Sequence, residues 1–477
     1  MVMGSDKARL RPTGRSVSAV PGVLAVLAVL ALAACAGAPS HPAGITHATA
    51  APGSTRATAA PGTASCGPAP ARHAWAVELT TAGRTIWKTP LPTRNVDISP
   101  TVQPVLVGPV AVVAQDGVVH GLGLADGRPL WSWTGGQSVY GMWRWGGLVA
   151  VLTDQVSDHS RLTGLDAATG AVRWSLRLPA RGLLGGQALT ADGGLAMAVI
   201  GQGLAVVNLS DGRVRWRLHT AASPGLAAAA GTVIYGLNGR LTGYDDRTGR
   251  ARWTITGNVS QDPALQPAAG LVLVTSNIQG PGIPNTLTAV VPATGRVAWR
   301  FSPAAPVTDP GAPVTVLSAG PAGLTVATYD PRRLYLLDSR TGRPRWHADT
   351  FVAQGTLPLV TGTSVVVAEG LNKVTVVDRD AADGRVRWRD SIPGTPEGQQ
   401  ILQAGPLALL QGAPARPGWP APLYAYRLAG GGQAWHAALP AFVEPVPEPV
   451  PGGILVQAAD LFSACPVTGW SAYAPLP

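Results

Sequence analysis

The side chains able to carry chemistry are few in this 477-residue chain: three cysteines, eight histidines and a thin scatter of acids, with only 13% of residues charged. His120, His159, His219, His347 and His436 stand far apart, and none sits in a serine or cysteine nucleophile motif. Two acidic groupings come closest to a metal site: the pair Asp245-Asp246, and the trio Asp378, Asp380 and Asp383. Calcium takes roughly six to eight oxygens, usually from several carboxylates, and neither grouping offers that many. Both lie shortly before a glycine and a tryptophan, where an aspartate opens a turn by bonding its own downstream backbone. No phosphate-cradling glycine loop is present. No catalytic group, metal or cofactor is expected, although loops distant in sequence could still assemble a site.

The cysteines divide by position. Lys7, Arg9, Arg11 and Arg15 precede an apolar run from Val23 to Ala34, which ends in Leu32-Ala33-Ala34-Cys35. The run is about a dozen residues long, and a membrane-spanning helix needs about 20. A basic start, a short apolar segment and small residues before a cut site read as an export signal. The last four residues resemble the lipobox of bacterial lipoproteins. That resemblance implies diacylglycerol on the Cys35 thiol, cleavage before it, and anchoring of the exported chain on the outer face of the cell membrane. Residues 1–34 are thus expected to be a signal peptide. Residues 35–72, rich in Ala, Pro, Thr, Ser and Gly, are expected to be a disordered tether. Cys66 and Cys465 remain, one just before the folded part and one near its end. In an oxidising compartment they are candidates for a disulfide, with two free thiols as the alternative.

Charge narrows the partners. The formal net charge is +10, and removal of residues 1–34 takes away four bases and one acid to leave +7. The bases are almost all arginine and are scattered without a basic run. A nucleic-acid partner would call for a clustered patch, so none is expected.

What must position any site is a repeat. Leu162-Thr163-Gly164-Leu165-Asp166-Ala167-Ala168-Thr169-Gly170-Ala171-Val172-Arg173-Trp174 recurs as Leu241 to Trp253 and as Leu334 to Trp346. Looser copies end at Trp87, Trp131, Trp216, Trp299, Trp388 and Trp435, and successive tryptophans stand 44, 43, 42, 37, 46, 47, 42 and 47 residues apart. An apolar strand leads into the aspartate, a glycine with positive φ closes the turn, and a second strand carries the tryptophan. Two further strands upstream, such as Thr232 to Tyr235 or Ser364 to Ala368, complete a four-stranded propeller blade. The repeated tryptophans are expected to pack between blades.

The fold class is therefore all-β, a propeller of four-stranded blades over residues 73–477. Its count is nine, or eight if one interval is irregular. The ring is expected to close through both terminal segments, with Trp87 on the outer strand of the last blade and Ile454 to Ala458 inside it. The proline-rich stretch from Val443 to Pro451 is excluded from a central strand and reads as an edge or a partner-facing loop.

The Leu-x-x-Leu-Asp-x-x-Thr-Gly-x-x-x-Trp hairpin resembles the repeat of pyrroloquinoline-quinone-type propellers over roughly residues 73–477. That family contains quinone-dependent dehydrogenases and non-enzymatic relatives, among them a lipoprotein of the outer-membrane assembly machinery. The dehydrogenases use calcium, an aspartate base and a disulfide of adjacent cysteines. No two cysteines are adjacent here, so the resemblance points to the non-enzymatic branch. Trp143, Arg144 and Trp145, in Met142-Trp143-Arg144-Trp145, are candidates for stacking on a sugar or holding a protein loop. Their alternative place is an inner strand of the second blade. Trp419, in Pro417-Gly418-Trp419-Pro420, is a candidate on a loop. The expected role is a non-catalytic platform for an envelope protein or polymer. The rivals are a quinone-dependent oxidoreductase and a sensor of a small ligand or glycan.

Overall fold

Aliphatic and β-branched segments of five to seven residues alternate with glycine turns, and this pattern folds wholly into strands. The computed structural model describes residues 74–80 and 85–91 and, apart from stretches of at most ten residues, 102–459. Cys35, Cys66, Cys465 and Trp419 lie outside the described residues, as do the expected signal segment and tether. Among the described residues there are nine four-stranded antiparallel sheets and no helix.

Blade 1 consists of Val105–Val107, Val110–Gln115, Val118–Gly123 and Pro129–Thr134, in that order from inside outward. Blades 2 to 8 repeat the plan over residues 139–178, 184–218, 225–256, 264–301, 315–349, 359–391 and 402–439. The first strands of neighbouring blades touch, as between blades 1 and 2, 3 and 4, 4 and 5, and 6 and 7. These strands therefore line the inside of the ring. Burial follows from this plan. The second strand of blade 1 is buried at five consecutive positions because neighbouring blades cover both its faces. The fourth strand alternates between exposed and half-buried, and Ala251–Thr256 and Val386–Ser391 do the same in blades 4 and 7.

Blade 9 closes the ring from both directions. Glu448–Val450 and Gly453–Ala459 supply its inner half, and Ala74–Thr80 and Thr85–Leu91 its outer half. Ala74 pairs with Ala459 and the ladder runs on to Thr80 opposite Gly453. The count is thus nine rather than eight, and Trp87 lies on the outermost strand as expected. Part of the proline-rich stretch, Glu448–Val450, is an edge strand, which needs no backbone donor on its free side. The apolar core is divided among the seams. Val112, Val119, Val149 and Val151 join blades 1 and 2, and Leu334, Leu336, Val365 and Val367 join blades 6 and 7.

Candidate functional site

The seams account for most of the residue types that looked chemically capable. A tryptophan on the outer strand of one blade reaches the hairpin turn of the next. Its indole N–H donates to the backbone carbonyl one residue past the aspartate position. The seven described cases are Trp87 to Leu124, Trp131 to Ala167, Trp174 to Leu209, Trp216 to Asp246, Trp253 to Pro292, Trp299 to Ser339 and Trp346 to Ala381, at 2.7–3.2 Å. The same ring lies flat against the turn glycine. A Cβ built on Gly170, Gly249 or Gly342 would fall 2.3–2.8 Å from it, and all three have positive φ. Glycine is required there twice over, by conformation and by space.

The hairpin aspartates hold their own turns. Asp166, Asp245 and Asp338 each accept from the backbone N–H and hydroxyl of Thr169, Thr248 and Thr341, and each pairs with an arginine of the same blade: Arg173 at 2.8 Å, Arg252 at 2.5 Å and Arg345 at 3.2 Å. The bonds from Thr248, with help from Arg252, bring the Asp245 carboxyl down to about 2. Asp246, its neighbour, is buried, and burial pushes its carboxyl up. It faces a small ionic cluster joining blades 3 and 4, in which Arg215 holds both oxygens of Asp192 and Arg247 adds a third contact. Burial alone would raise Asp192, but Arg215, Thr190 and Arg247 outweigh it and bring it to about 2. The carboxylates of Asp166, Asp192, Asp245 and Asp338 are occupied by turns and ion pairs.

The trio in blade 7 is placed differently from the sequence expectation. Asp380 and Asp383 lie at the turn and accept from Ala382 and Arg385. Asp378 does not: it belongs to the strand Thr375–Asp380 and stands directly opposite Trp388. In blades 1 to 6 and 8 the residue opposite the tryptophan is Gly121, Gly164, Val206, Gly243, Ala289, Leu336 or Ala425. Asp378 is fully buried, and burial pushes its carboxyl up to about 6 against the pull of Arg387 at 3.6 Å and Ser364 at 3.4 Å. Trp388 stacks on Tyr426 of blade 8 at 5.9 Å, yet its indole nitrogen is buried without a hydrogen bond, as is the Tyr426 hydroxyl.

The other candidates are dispersed. Met142, Trp143, Arg144 and Trp145 all lie on the inner strand of blade 2, Val139–Trp145. Trp143 and Trp145 pack half-buried into the seam with blade 3, the latter against Gly193. Arg144 turns the other way and donates to the Leu106 carbonyl of blade 1. Among the described residues no three of His, Cys, Asp and Glu gather to hold a metal. Of the two buried aspartates among the described residues, Asp378 already faces Arg387 and Asp246 lies beside the Arg215 and Arg247 cluster. The described residues therefore do not fit a calcium-held quinone.

A cleft that sequence reasoning did not single out opens between the outer strands of blades 1 and 2. Trp133, Thr134, Gly135, Arg161, Thr163, Val172 and Ser175 line about 250 Å³ of it. Trp133 was legible as a tryptophan outside the repeat position, but its partners lie about 30 to 40 residues away and carry no motif.

The family model described as outer membrane protein assembly factor BamB matches residues 145–277 and 284–444. Among solved structures the chain is similar to BamB from Moraxella catarrhalis, at 16% identity over 77% of this chain and 99% of that one, with a TM-score of 0.44. It is also similar to a eukaryotic initiation factor, at 12% identity over 77% and 97%, with a TM-score of 0.53, a likeness of fold. The serine/threonine-protein kinase AfsK of Streptomyces griseus is 29% identical over 160 residues, 31% of this chain. The chain spans 20% of that kinase's length.

Proposed function

The chain belongs to the family of the outer membrane protein assembly factor BamB, and we propose that it is a protein-binding platform without catalysis, held by lipid at Cys35 on the outer face of the cell membrane. The observation that carries the platform reading is on the outer wall. The position before the seam tryptophan holds Arg173, Arg215, Arg252, Arg345 and Arg387 in blades 2, 3, 4, 6 and 7. Blade 1 has Gly123 where the turn aspartate would stand, so there is no latch for an arginine to complete. There and in blade 9 the position holds bare aliphatics, Leu130 at 51% exposure and Ile86 at 45%. Exposed aliphatic side chains on an otherwise polar wall are a mark of a protein contact. The anchor is supported by the basic start, the short apolar run and Leu32-Ala33-Ala34-Cys35.

A photo-crosslinker at Ile86 or Leu130 in intact cells should capture one envelope protein, and the same probe at Arg343 in blade 6 should not. The purified partner should bind the full chain and lose at least tenfold in affinity to Leu130→Asp. Equal capture at both sites, or unchanged affinity, would remove the platform reading. Cys35→Ala should release the chain from the membrane fraction.

A further inference from the structure

We propose that the cleft between blades 1 and 2 binds a carboxylate-bearing sugar, a uronic-acid-type pyranose. Trp133 stands two residues beyond the seam tryptophan Trp131 and so points the same way, toward blade 2. Facing it on blade 2 are Arg161, Thr163 and Ser175.

The equivalent cleft between blades 5 and 6 shows what the repeat does when it closes this space. There Phe301 takes the place of Trp133 and meets Tyr335 edge-on at 5.2 Å, with His347 beside the tyrosine at 5.7 Å. Blade 2 has Thr163 and Ser175 at those two positions, so the aromatic wall remains on one side and the filling is gone. The charges change with the side chains. In blade 6 Arg333 pairs across the strands with Asp349 at 2.6 Å. Blade 2 keeps the arginine, as Arg161, but the residue paired with it is Arg177. Two like charges directly opposite are unfavourable in a sheet. Among the described side chains no carboxylate neutralises them. Arg161 donates to Ser175 Oγ at 3.0 Å, while its Nε–H is buried without a partner.

A ligand that satisfies these groups brings its own carboxylate for Arg161 and Arg177, a charge-assisted contact stronger than a neutral hydrogen bond. It also brings a hydroxyl for the exposed Ser175, whose Oγ lies 3.4 Å from the buried Thr163 hydroxyl, and a flat C–H face for the Trp133 ring. An acidic pyranose has all three. Polar groups converging beside an aromatic wall are the general form of a small-ligand site. This inference does not rest on the platform reading, because Leu130 is exposed on the outer wall whereas Trp133 packs half-buried against the seam between blades 1 and 2.

The test is calorimetric titration of the full chain with trigalacturonate and with its methyl ester, which keeps the rings and removes the charge. Trigalacturonate should bind saturably and the ester at least tenfold more weakly. Trp133→Ala should abolish binding, and Arg161→Gln, which leaves the apolar seam intact, should weaken it at least tenfold. Leu130→Asp should bind the sugar as the parent chain does. No saturable binding at millimolar sugar, equal binding of the ester, or an unaffected Arg161→Gln variant would each overturn the assignment.

Discussion

The seam between blades 5 and 6 and the seam between blades 7 and 8 are built from the same parts and work differently. In the first, Trp299 sits opposite Ala289, reaches across to the Ser339 carbonyl and rests on Gly342. In the second, Trp388 sits opposite Asp378, rests on Gly431, and makes no indole hydrogen bond. In blades 1 to 6 the residue opposite the tryptophan is uncharged, from glycine to leucine, and the indole reaches the next turn. An aspartate there brings a charge into a low-dielectric seam. The arginine follows the charge: Arg345 binds the turn carboxylate of its blade, whereas Arg387 reaches the buried one. The buried aspartate thus goes with two changed contacts, the indole bond and the arginine pairing.

The largest effect should come from breaking the well-formed seam at its glycine. Gly342 has φ 68°, and a Cβ there would lie 2.3 Å from Trp299. Gly430 in blade 8 has φ 77° with nothing near its would-be Cβ. Gly430→Ala should cost only the left-handed backbone penalty, about 1–2 kcal/mol. Gly342→Ala carries the same penalty plus displacement of the ring and its hydrogen bond, about 3–5 kcal/mol in all. Chemical denaturation of the two variants compares them directly. Equal losses would mean that the ring gives way freely and that the seams are soft.

The second effect is a gain. The Asp378 carboxyl goes from its ordinary 3.8 to about 6 in the fold. The folded chain therefore holds this proton more tightly than the unfolded chain does. Its contribution to stability is greatest below about pH 4, declines as pH rises through about 6, and is absent at pH 7. Asp378→Asn keeps the shape and removes the charge, so it should stabilise the protein at pH 7 by about 2–3 kcal/mol. It should also flatten this part of the pH dependence. The nearby charges, Arg387 and Asp380, stay in place. Asp245 and Asp192, whose carboxyls the fold depresses to about 2, act in the opposite sense and at lower pH. Thermal melts of both proteins at pH 4, 5, 6 and 7 separate the two ranges. A variant less stable than the parent at pH 7 would show that the Arg387 pairing outweighs the burial.

These two seams also mark how far the sequence could be read. The repeat, the turn chemistry and the closure by Trp87 were legible because each depends on spacing along one strand or one hairpin. The role of Asp378 was not, since Asp380 and Asp383 beside it are turn residues and two positions of register separate a solvated acid from a buried one. The Trp133 cleft was hidden for another reason. It arises from what two blades omit, Tyr335 and Asp349 becoming Thr163 and Arg177, and an omission shows only when copies are superposed. Met142 to Trp145 drew attention by composition, yet the strand period sends Trp143 and Trp145 into one seam and Arg144 away from it.

The smallest effect isolates the indole hydrogen bond. Trp216 donates to the Asp246 carbonyl at 3.0 Å, whereas the Trp388 nitrogen reaches no backbone carbonyl and faces the Asp378 carboxyl, which it helps to lower. Replacing either by phenylalanine removes similar apolar area, so the packing loss is nearly common to both. Trp216→Phe also leaves a carbonyl in the seam without its donor, at a cost of about 1–2 kcal/mol. Trp388→Phe strips no backbone carbonyl of an established donor and loses only the weak pull of the indole on the Asp378 carboxyl. The difference between the two losses, read from denaturation midpoints at constant slope, should favour Trp388→Phe by about 1–2 kcal/mol. If Asp378→Asn is made first, the Trp388 seam comes closer to the other seven, and the two phenylalanine variants should then converge. Failure to converge would mean that Tyr426, stacked on the same ring, keeps Trp388 from its carbonyl even without the buried charge.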